Sequence, residues 1–155
     1  TKNPGEWKDK NNQAGNTVFV HPDLVRGTLL EGFDRITGLS SAAARAFMVM
    51  FLVAEVHPFL DGNGRTARLA LNCALTEAGL SRILVPTIFR EDYLLSLKAL
   101  SHQASADAYI GMLLKLQTWA ARLDFAQPRH DVRIQLTRCN AFQENRNLYR
   151  LIAPE

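Results

Sequence analysis

Between positions 57 and 68 the chain reads His57-Pro58-Phe59-Leu60-Asp61-Gly62-Asn63-Gly64-Arg65-Thr66-Ala67-Arg68, which brings a proton acceptor, a hard-metal ligand, two loop glycines and two arginines into one short stretch. Pro58 cannot continue a preceding helix, because it lacks the N–H and clashes with the turn before it. Gly62 and Gly64 allow a sharp turn and a close approach of backbone to a ligand. Arg65 to Ala78 then reads as a helix, with Gly79 as its C-terminal stop. A glycine turn feeding a helix N-terminus is an anion site, since free N–H groups and the positive dipole end face the ligand. Arg65 and Arg68 share one helix face and can both reach phosphate oxygens. Asp61 supplies one carboxylate, which suits Mg²⁺, an ion that takes few protein ligands beside phosphates and waters. Asn63 offers an amide donor where charge develops on a phosphoryl group. His57 titrates near neutrality and can accept the proton of an attacking hydroxyl. The constellation reads as phosphoryl or nucleotidyl transfer.

Plainer readings compete with it. Gly62-Asn63-Gly64-Arg65-Thr66-Ala67 fits a Gly-x-Gly-x-x-Ala dinucleotide fingerprint, but His57 to Asp61 intervenes after the apolar run and no alternating βα series follows. A P-loop is excluded by the lack of Gly-Lys-Ser/Thr. His57 taken alone is compatible with a silent helix-end residue, and Arg68 with a simple carboxylate pair. His21-Pro22 repeats the His-Pro pair without a glycine turn and reads as a helix start.

His-Pro-Phe-Leu-Asp-Gly-Asn-Gly-Arg followed by Thr-Ala-Arg resembles the signature of the Fic (Fic/Doc) family, matched at every defined position. Members mostly transfer AMP from ATP to a Ser, Thr or Tyr hydroxyl of a protein target. The resemblance implies His57 as general base, Phe59 as the buried anchor of the loop, and Asp61 as the residue holding Mg²⁺ against the phosphates. It further implies Gly62, Asn63 and Gly64 as the anion hole, with Arg65 and Arg68 on the outer phosphates. It therefore names His57, Asn63 and Arg65 as catalytic. Some members move phosphate, phosphocholine or UMP; the complete Asp-Gly-Asn-Gly-Arg and the second arginine, Arg68, favour AMP transfer, and the Asn-Lys-Arg of the phosphate-moving branch is absent. The alternative is a regulated or silent nucleotide-binding module. The restraining Ser/Thr-x-x-x-Glu-Gly/Asn helix seen in the family is not matched, because Glu31-Gly32 has Gly27 and Glu144-Asn145 has Asn140 at the hydroxyl position. An inhibitory partner, or an N-terminal segment lying outside this chain, is the corresponding expectation.

The elements that must position this stretch follow from patterning. Residues 1–15 are polar and turn-rich, with Asn3-Pro4-Gly5 and Asn11-Asn12, and Asn16 to Val20 reads as a strand or hairpin arm. A lone hairpin is marginal unless something packs on it. The resemblance supplies a purpose, a flap that holds the target by strand addition through Asn16, Thr17, Val18 and Phe19, although these fit a plain structural edge equally. Gly5-Glu6-Trp7-Lys8 looks like the family's Gly-x-aromatic-Arg opening, with Lys8 in the arginine's place, so no specific role is carried over to Lys8. From Pro22 to Gly38 the pattern is helical, with Leu24, Leu29, Phe33 and Ile36 on one face. Ser40 or Ser41 caps a helix over Ala42 to Val56, apolar nearly all round and so central. Ile83 to Ile88 reads as an extended linker, Arg90 to Leu100 as an amphipathic helix and Asp107 to Leu123 as another helix, carrying Tyr109, Met112, Leu113, Leu116 and Trp119. Tyr93 is compatible with the core or, by the resemblance, with an adenine contact. After Pro128, residues Val132, Leu136, Cys139, Phe142 and Tyr149 suggest a final helix. The expected fold is all-α, a Fic-type helical bundle with one small β-hairpin, with residues 1–127 as the Fic domain and 128–155 as a C-terminal helical extension packed on it.

The 155 residues suffice for a domain with a core, and 47% hydrophobic with 21% charged residues places the chain among globular proteins. A net charge of +3 from scattered basic residues indicates no nucleic-acid surface. Cys73 and Cys139 show no metal or disulfide spacing and are expected to be buried, inert thiols in a reducing compartment. The apolar run Ala46 to Ala54 is far shorter than the ~20 residues of a membrane span. These features predict a cytoplasmic protein, leaving delivery to another cell open. The chain begins at Thr1 rather than methionine, which predicts a fragment or processed product.

Overall fold

A computed structural model describes residues 5–154, so the Asn3-Pro4 pair lies outside the described residues. The fold is mainly helical, with one two-stranded sheet. The described residues fall into two compact units that divide between Leu80 and Ser81.

The first unit opens with an antiparallel hairpin, β1 (Gln13–Ala14) and β2 (Thr17–Val18), in which Gln13 faces Val18 and Ala14 faces Thr17. Gly15, at φ 58°, supplies the left-handed backbone that the tight turn needs at its first position. A 3₁₀ turn over Pro22–Leu24 leads into α1 (Val25–Thr37), followed by α2 (Ala42–Val56) and α3 (Asn63–Glu77). Ser41 caps α2, its hydroxyl accepting from Ala44 N. The start of α1 lies on the end of α2 through Val25, Leu29 and Val56, with Val20 and Leu52 around them. Gly32 permits this approach, for a Cβ there would lie 2.4 Å from Leu52 Cδ1. The buried face of α1 is Val25, Leu29 and Ile36, whereas Leu24 and Phe33, expected on it, are 60% and 40% exposed. Leu24 belongs to the 3₁₀ turn before α1, whereas Leu29 and Ile36 are buried on the expected face.

Helix α2 is central as expected, burying Ala46, Phe47, Met50, Val53 and Val56. Helix α3 buries Asn63, Ala67, Leu71 and Leu75 and ends as foreseen at Gly79, φ 69°. Leu80 N donates to Leu75 O and Gly79 N to Thr76 O, the paired bonds of a Schellman end. Cys73 faces solvent on α3, contrary to the expectation of two buried thiols; Cys139 is buried.

The second unit contains a 3₁₀ turn (Thr87–Phe89), α4 (Arg90–Gln103), α5 (Asp107–Ala120) and α6 (Arg129–Arg138). Ile83 and Ile88 in the expected linker are buried. Helix α5 buries Tyr109, Met112, Leu113, Leu116 and Trp119, the face read from the sequence. Burial holds the Tyr109 phenol well above its ordinary range, and Tyr93 adds to the effect. Helix α6 is shorter than the spacing suggested. Asn140 turns left-handed at φ 60°, and Phe142 and Tyr149 beyond it are exposed. Trp119, Ala120, Leu123, Cys139 and Ala141 form a local core that is closed by a hydrogen bond from Trp119 Nε1 to Ile152 O at 2.8 Å.

Candidate active site

The site grows from the junction of α2 and α3. Pro58 ends α2, and His57 takes the left-handed conformation at its C-cap, φ 51° and ψ 58°. A residue with a Cβ pays about 1–2 kcal/mol for that backbone, and such strain gathers at functional positions. Three sets of contacts hold it there.

The first fixes the ring. His57 Nδ1 lies 2.9 Å from Ala54 O, one turn back on α2. A carbonyl only accepts, so Nδ1 carries the proton and the neutral ring has its lone pair on Nε2. The second set comes from the hairpin, where the Phe19 ring stacks on the imidazole at 3.7 Å between centroids and 8° between planes. Of the expected flap residues, Phe19 is thus brought onto His57, while Val18 is 70% exposed and Asn16 sits in the turn. Burial pushes the His57 pKa below its ordinary value. The bond to Ala54 opposes that shift, the charge of Lys8 adds to it and the charge of Glu55 opposes it. The neutral, proton-accepting form therefore prevails at neutral pH.

The third set was not legible in the sequence. Lys8 is 2% exposed, and its ammonium donates to Val56 O at 3.1 Å and to Asn12 Oδ1 at 2.8 Å. Lys8 N donates to Pro58 O at 2.8 Å, and Asn12 Nδ2 to Phe59 O at 3.0 Å and His57 O at 3.5 Å. Trp7 stacks on Phe59 with centroids 5.8 Å apart. Phe59 itself is only half-buried, so Pro58, which is buried, is the more enclosed residue of the pair.

The turn that follows is built by Asp61, Gly62 and Asn63. Gly62, at φ 82°, is the N-cap of α3, and Asp61 Oδ1 accepts from its N–H at 2.7 Å. Asn63 is 2% exposed and bonds both ways with Phe59, its Oδ1 accepting from Phe59 N at 2.8 Å and its Nδ2 donating to Phe59 O at 2.7 Å. The amide that the sequence offered to a phosphoryl group is turned inward to close the loop. The first bond of α3 is Thr66 N to Gly62 O, so the N–H groups of residues 63–65 precede the helical ladder, as an anion-binding helix start requires. Arg65 is exposed, with Nη2 3.9 Å from Asp61 Oδ2, and Arg68 follows three residues on. A Cβ on Gly62 would meet Arg65 Nη2 at 3.4 Å and one on Gly64 would meet Arg68 Nη1 at 3.6 Å, so both guanidinium groups lie close over the glycine backbone. Among the described residues no group of three or more His, Cys, Asp or Glu side chains could hold a metal. An ion bound at Asp61 would draw most of its ligands from phosphates and water, which fits Mg²⁺ rather than a protein-caged metal. Tyr93 belongs to the second unit, on α4, where it is buried at 5% exposure as a core side chain is.

Comparisons with known proteins agree with this geometry. Residues 1–75 match the model of the Fic/DOC family. The chain is 43% identical over 88 residues to the protein adenylyltransferase fic-1 of Caenorhabditis elegans, an alignment covering 54% of this chain and 17% of that protein. A solved structure of Fic-1 from C. elegans (residues 134–508) superposes with a TM-score of 0.60 at 25% identity, over 73% of this chain and 34% of that one. A Fic domain-containing signaling protein from Bacteroides thetaiotaomicron superposes with a TM-score of 0.63 at 20% identity, over 76% and 54% of the two chains, a likeness of fold. This chain thus spans only a minor part of the curated adenylyltransferase's length. Residues 1–75, just under half of this chain, are thus similar to the Fic/DOC family.

Proposed function

We propose that this protein transfers AMP from ATP to a hydroxyl group of a protein target, with His57 as the general base. What carries the reading is the 2.9 Å bond from His57 Nδ1 to Ala54 O, because it makes Nε2 the proton acceptor directly upstream of an anion-binding turn. The relative named as a protein adenylyltransferase supports the same chemistry.

In the proposed step Nε2 takes the hydroxyl proton as the target oxygen attacks the α-phosphorus. A P–O bond forms to the target, the bond to the β-phosphate oxygen breaks, and pyrophosphate leaves. The N–H groups at the start of α3 receive phosphate oxygens, and Arg65 and Arg68 neutralise the outer phosphates. Asn63 acts from behind, holding the loop through Phe59. Asp61 would hold Mg²⁺, which when bound supplies charge neutralisation at the phosphates. A target segment pairing with β2 would run beside Phe19 and so beside His57, which fits the hairpin as a flap.

The test is labelling of a protein extract with ATP carrying label on the α- or the γ-phosphate. The α-label should enter protein and the γ-label should not. His57→Ala should slow transfer by about 10²–10⁴-fold, the usual contribution of a general base, with nucleotide affinity nearly unchanged. Transfer of the γ-label alone, or a His57→Ala rate equal to wild type, would overturn the reading.

A further inference from the structure

We infer that Lys8 and Asn12 are positioning residues for the transfer step, a two-residue clamp that holds the carbonyls of Val56 to Phe59 and thereby fixes the direction of the His57 ring. The inference rests on His57 acting as the base, as proposed above.

Four consecutive carbonyls, those of Val56, His57, Pro58 and Phe59, all accept hydrogen bonds from the segment Lys8–Asn12. Such carbonyls at a helix end have no partner within the helix and ordinarily turn to water. Here the Val56 carbonyl is tied to a Lys8 side chain that is itself 2% exposed, Pro58 O to the Lys8 N–H, and the other two to the half-buried Asn12 amide. A cation is favoured at the C-terminal end of α2 by the helix dipole, yet a solvated lysine would satisfy that preference without fixing any direction. Lys8 does more, because its ammonium is shared between Val56 O and Asn12 Oδ1, which in turn aims Asn12 Nδ2 at Phe59 O. The clamp therefore grips the backbone on both sides of the left-handed residue. Rotation of His57 back toward ordinary helical values would redirect these carbonyls and break several of the bonds together. The charged groups acting on the ring are Lys8 and Glu55, with opposite effects, so loss of the Lys8 charge also changes the electrostatics of the base.

A purely structural role would lower stability and leave the folded molecules with an unaltered base. The two are separated by measuring the ¹⁵N signals of the His57 ring, kcat and the KM for ATP in the full chain and in Lys8→Met, Asn12→Leu and Lys8→Arg. In the first two variants the ring should leave the single Nδ1–H form for exchanging tautomers. In these variants kcat should fall by about a hundredfold, as a misplaced catalytic group does, with KM for ATP changing less than about threefold. Lys8→Arg, which retains charge and donors, should recover most of the wild-type kcat. Should Lys8→Met fail to fold, Asn12→Leu at a half-buried position carries the same test. A wild-type kcat with an unmoved Nδ1–H signal in either folded variant would overturn the clamp. If even the wild-type chain transfers no AMP, the AMP-transfer reading falls by itself, and the ring signals still decide: moved in Asn12→Leu, they support the clamp; unmoved, they overturn it.

Discussion

Replacing Asn63 by alanine should destabilise the first unit by about 3–5 kcal/mol, more than its position at a helix start would suggest. The side chain is 2% exposed and makes two hydrogen bonds to Phe59, at 2.8 Å to the N–H and 2.7 Å to the carbonyl. Each is worth about 1 kcal/mol net, and a donor stranded in a part-buried loop adds about 1–3 kcal/mol. Phe59 O keeps its bond from Asn12 Nδ2 at 3.0 Å, so only the Phe59 N–H incurs that penalty. With a urea dependence of about 2 kcal/mol per molar, the midpoint should drop by about 1.5–2.5 M. Trp7, stacked on Phe59, reports this loop directly, and a Trp119→Phe background removes the other tryptophan from the signal. Leu69→Ala on the same helix, at a 66% exposed position, is the control and should stay within about 0.5 kcal/mol of the background. If Asn63→Ala moved the midpoint no further than Leu69→Ala, Asn63 would not be what closes the loop.

Four further outcomes are expected. The acidic limb of kcat/KM should have its midpoint below the ordinary histidine value of about 6.5, because a lowered pKa keeps His57 deprotonated to lower pH; a midpoint above that value would contradict the burial of the ring. The same shift means that the unfolded chain binds this proton first as pH falls, so stability is lost between the ordinary pKa and the lowered one, measurable by urea titration across that window. Phe19→Ala should uncover the ring stacked at 3.7 Å and move the His57 pKa back upward in an NMR titration, since burial is the largest cause of its depression. Gly111→Ala, with nothing within 4 Å of the new Cβ in the middle of α5, should stabilise by about 0.5–1 kcal/mol in a melting experiment, whereas Gly32→Ala, whose Cβ would stand 2.4 Å from Leu52 Cδ1, should not.

What could be read in advance was local. The bounds of α2, the glycine end of α3 and the buried face of α5 follow from capping chemistry and a 3.6-residue period, and all are present in the structure. The turn from His57 to Arg68 announced itself because its residue types lie side by side in the chain. Lys8 did not, because its partner Val56 is 48 positions away and nothing in a polar N-terminal stretch says that one lysine is buried. Asn63 was read as facing a ligand, since spacing gives a residue's place and not the direction of its amide. The strands escaped detection in part because two residues are too few for an alternating pattern, which left Gln13–Ala14 among the turns. In the last stretch the apolar spacing persisted past Arg138, but a left-handed Asn140 ended the helix and no period foretells that.

The strained histidine and the short hairpin depend on each other. A ribbon with two residues per strand is not stable by itself in water, and a non-glycine residue at φ 51° is costly by itself in a helix cap. Phe19 connects the two, with its ring on His57 and its N–H donating to Asn12 O at 3.2 Å. Asn12 closes the circuit through the carbonyls of His57 and Phe59. The contacts that hold the hairpin in place are therefore the contacts that hold His57 in its unfavourable backbone state. A displacement of the hairpin large enough to lift Phe19 would remove support from both, so the direction of Nε2 is set by the N-terminal segment as much as by the helix that carries the histidine.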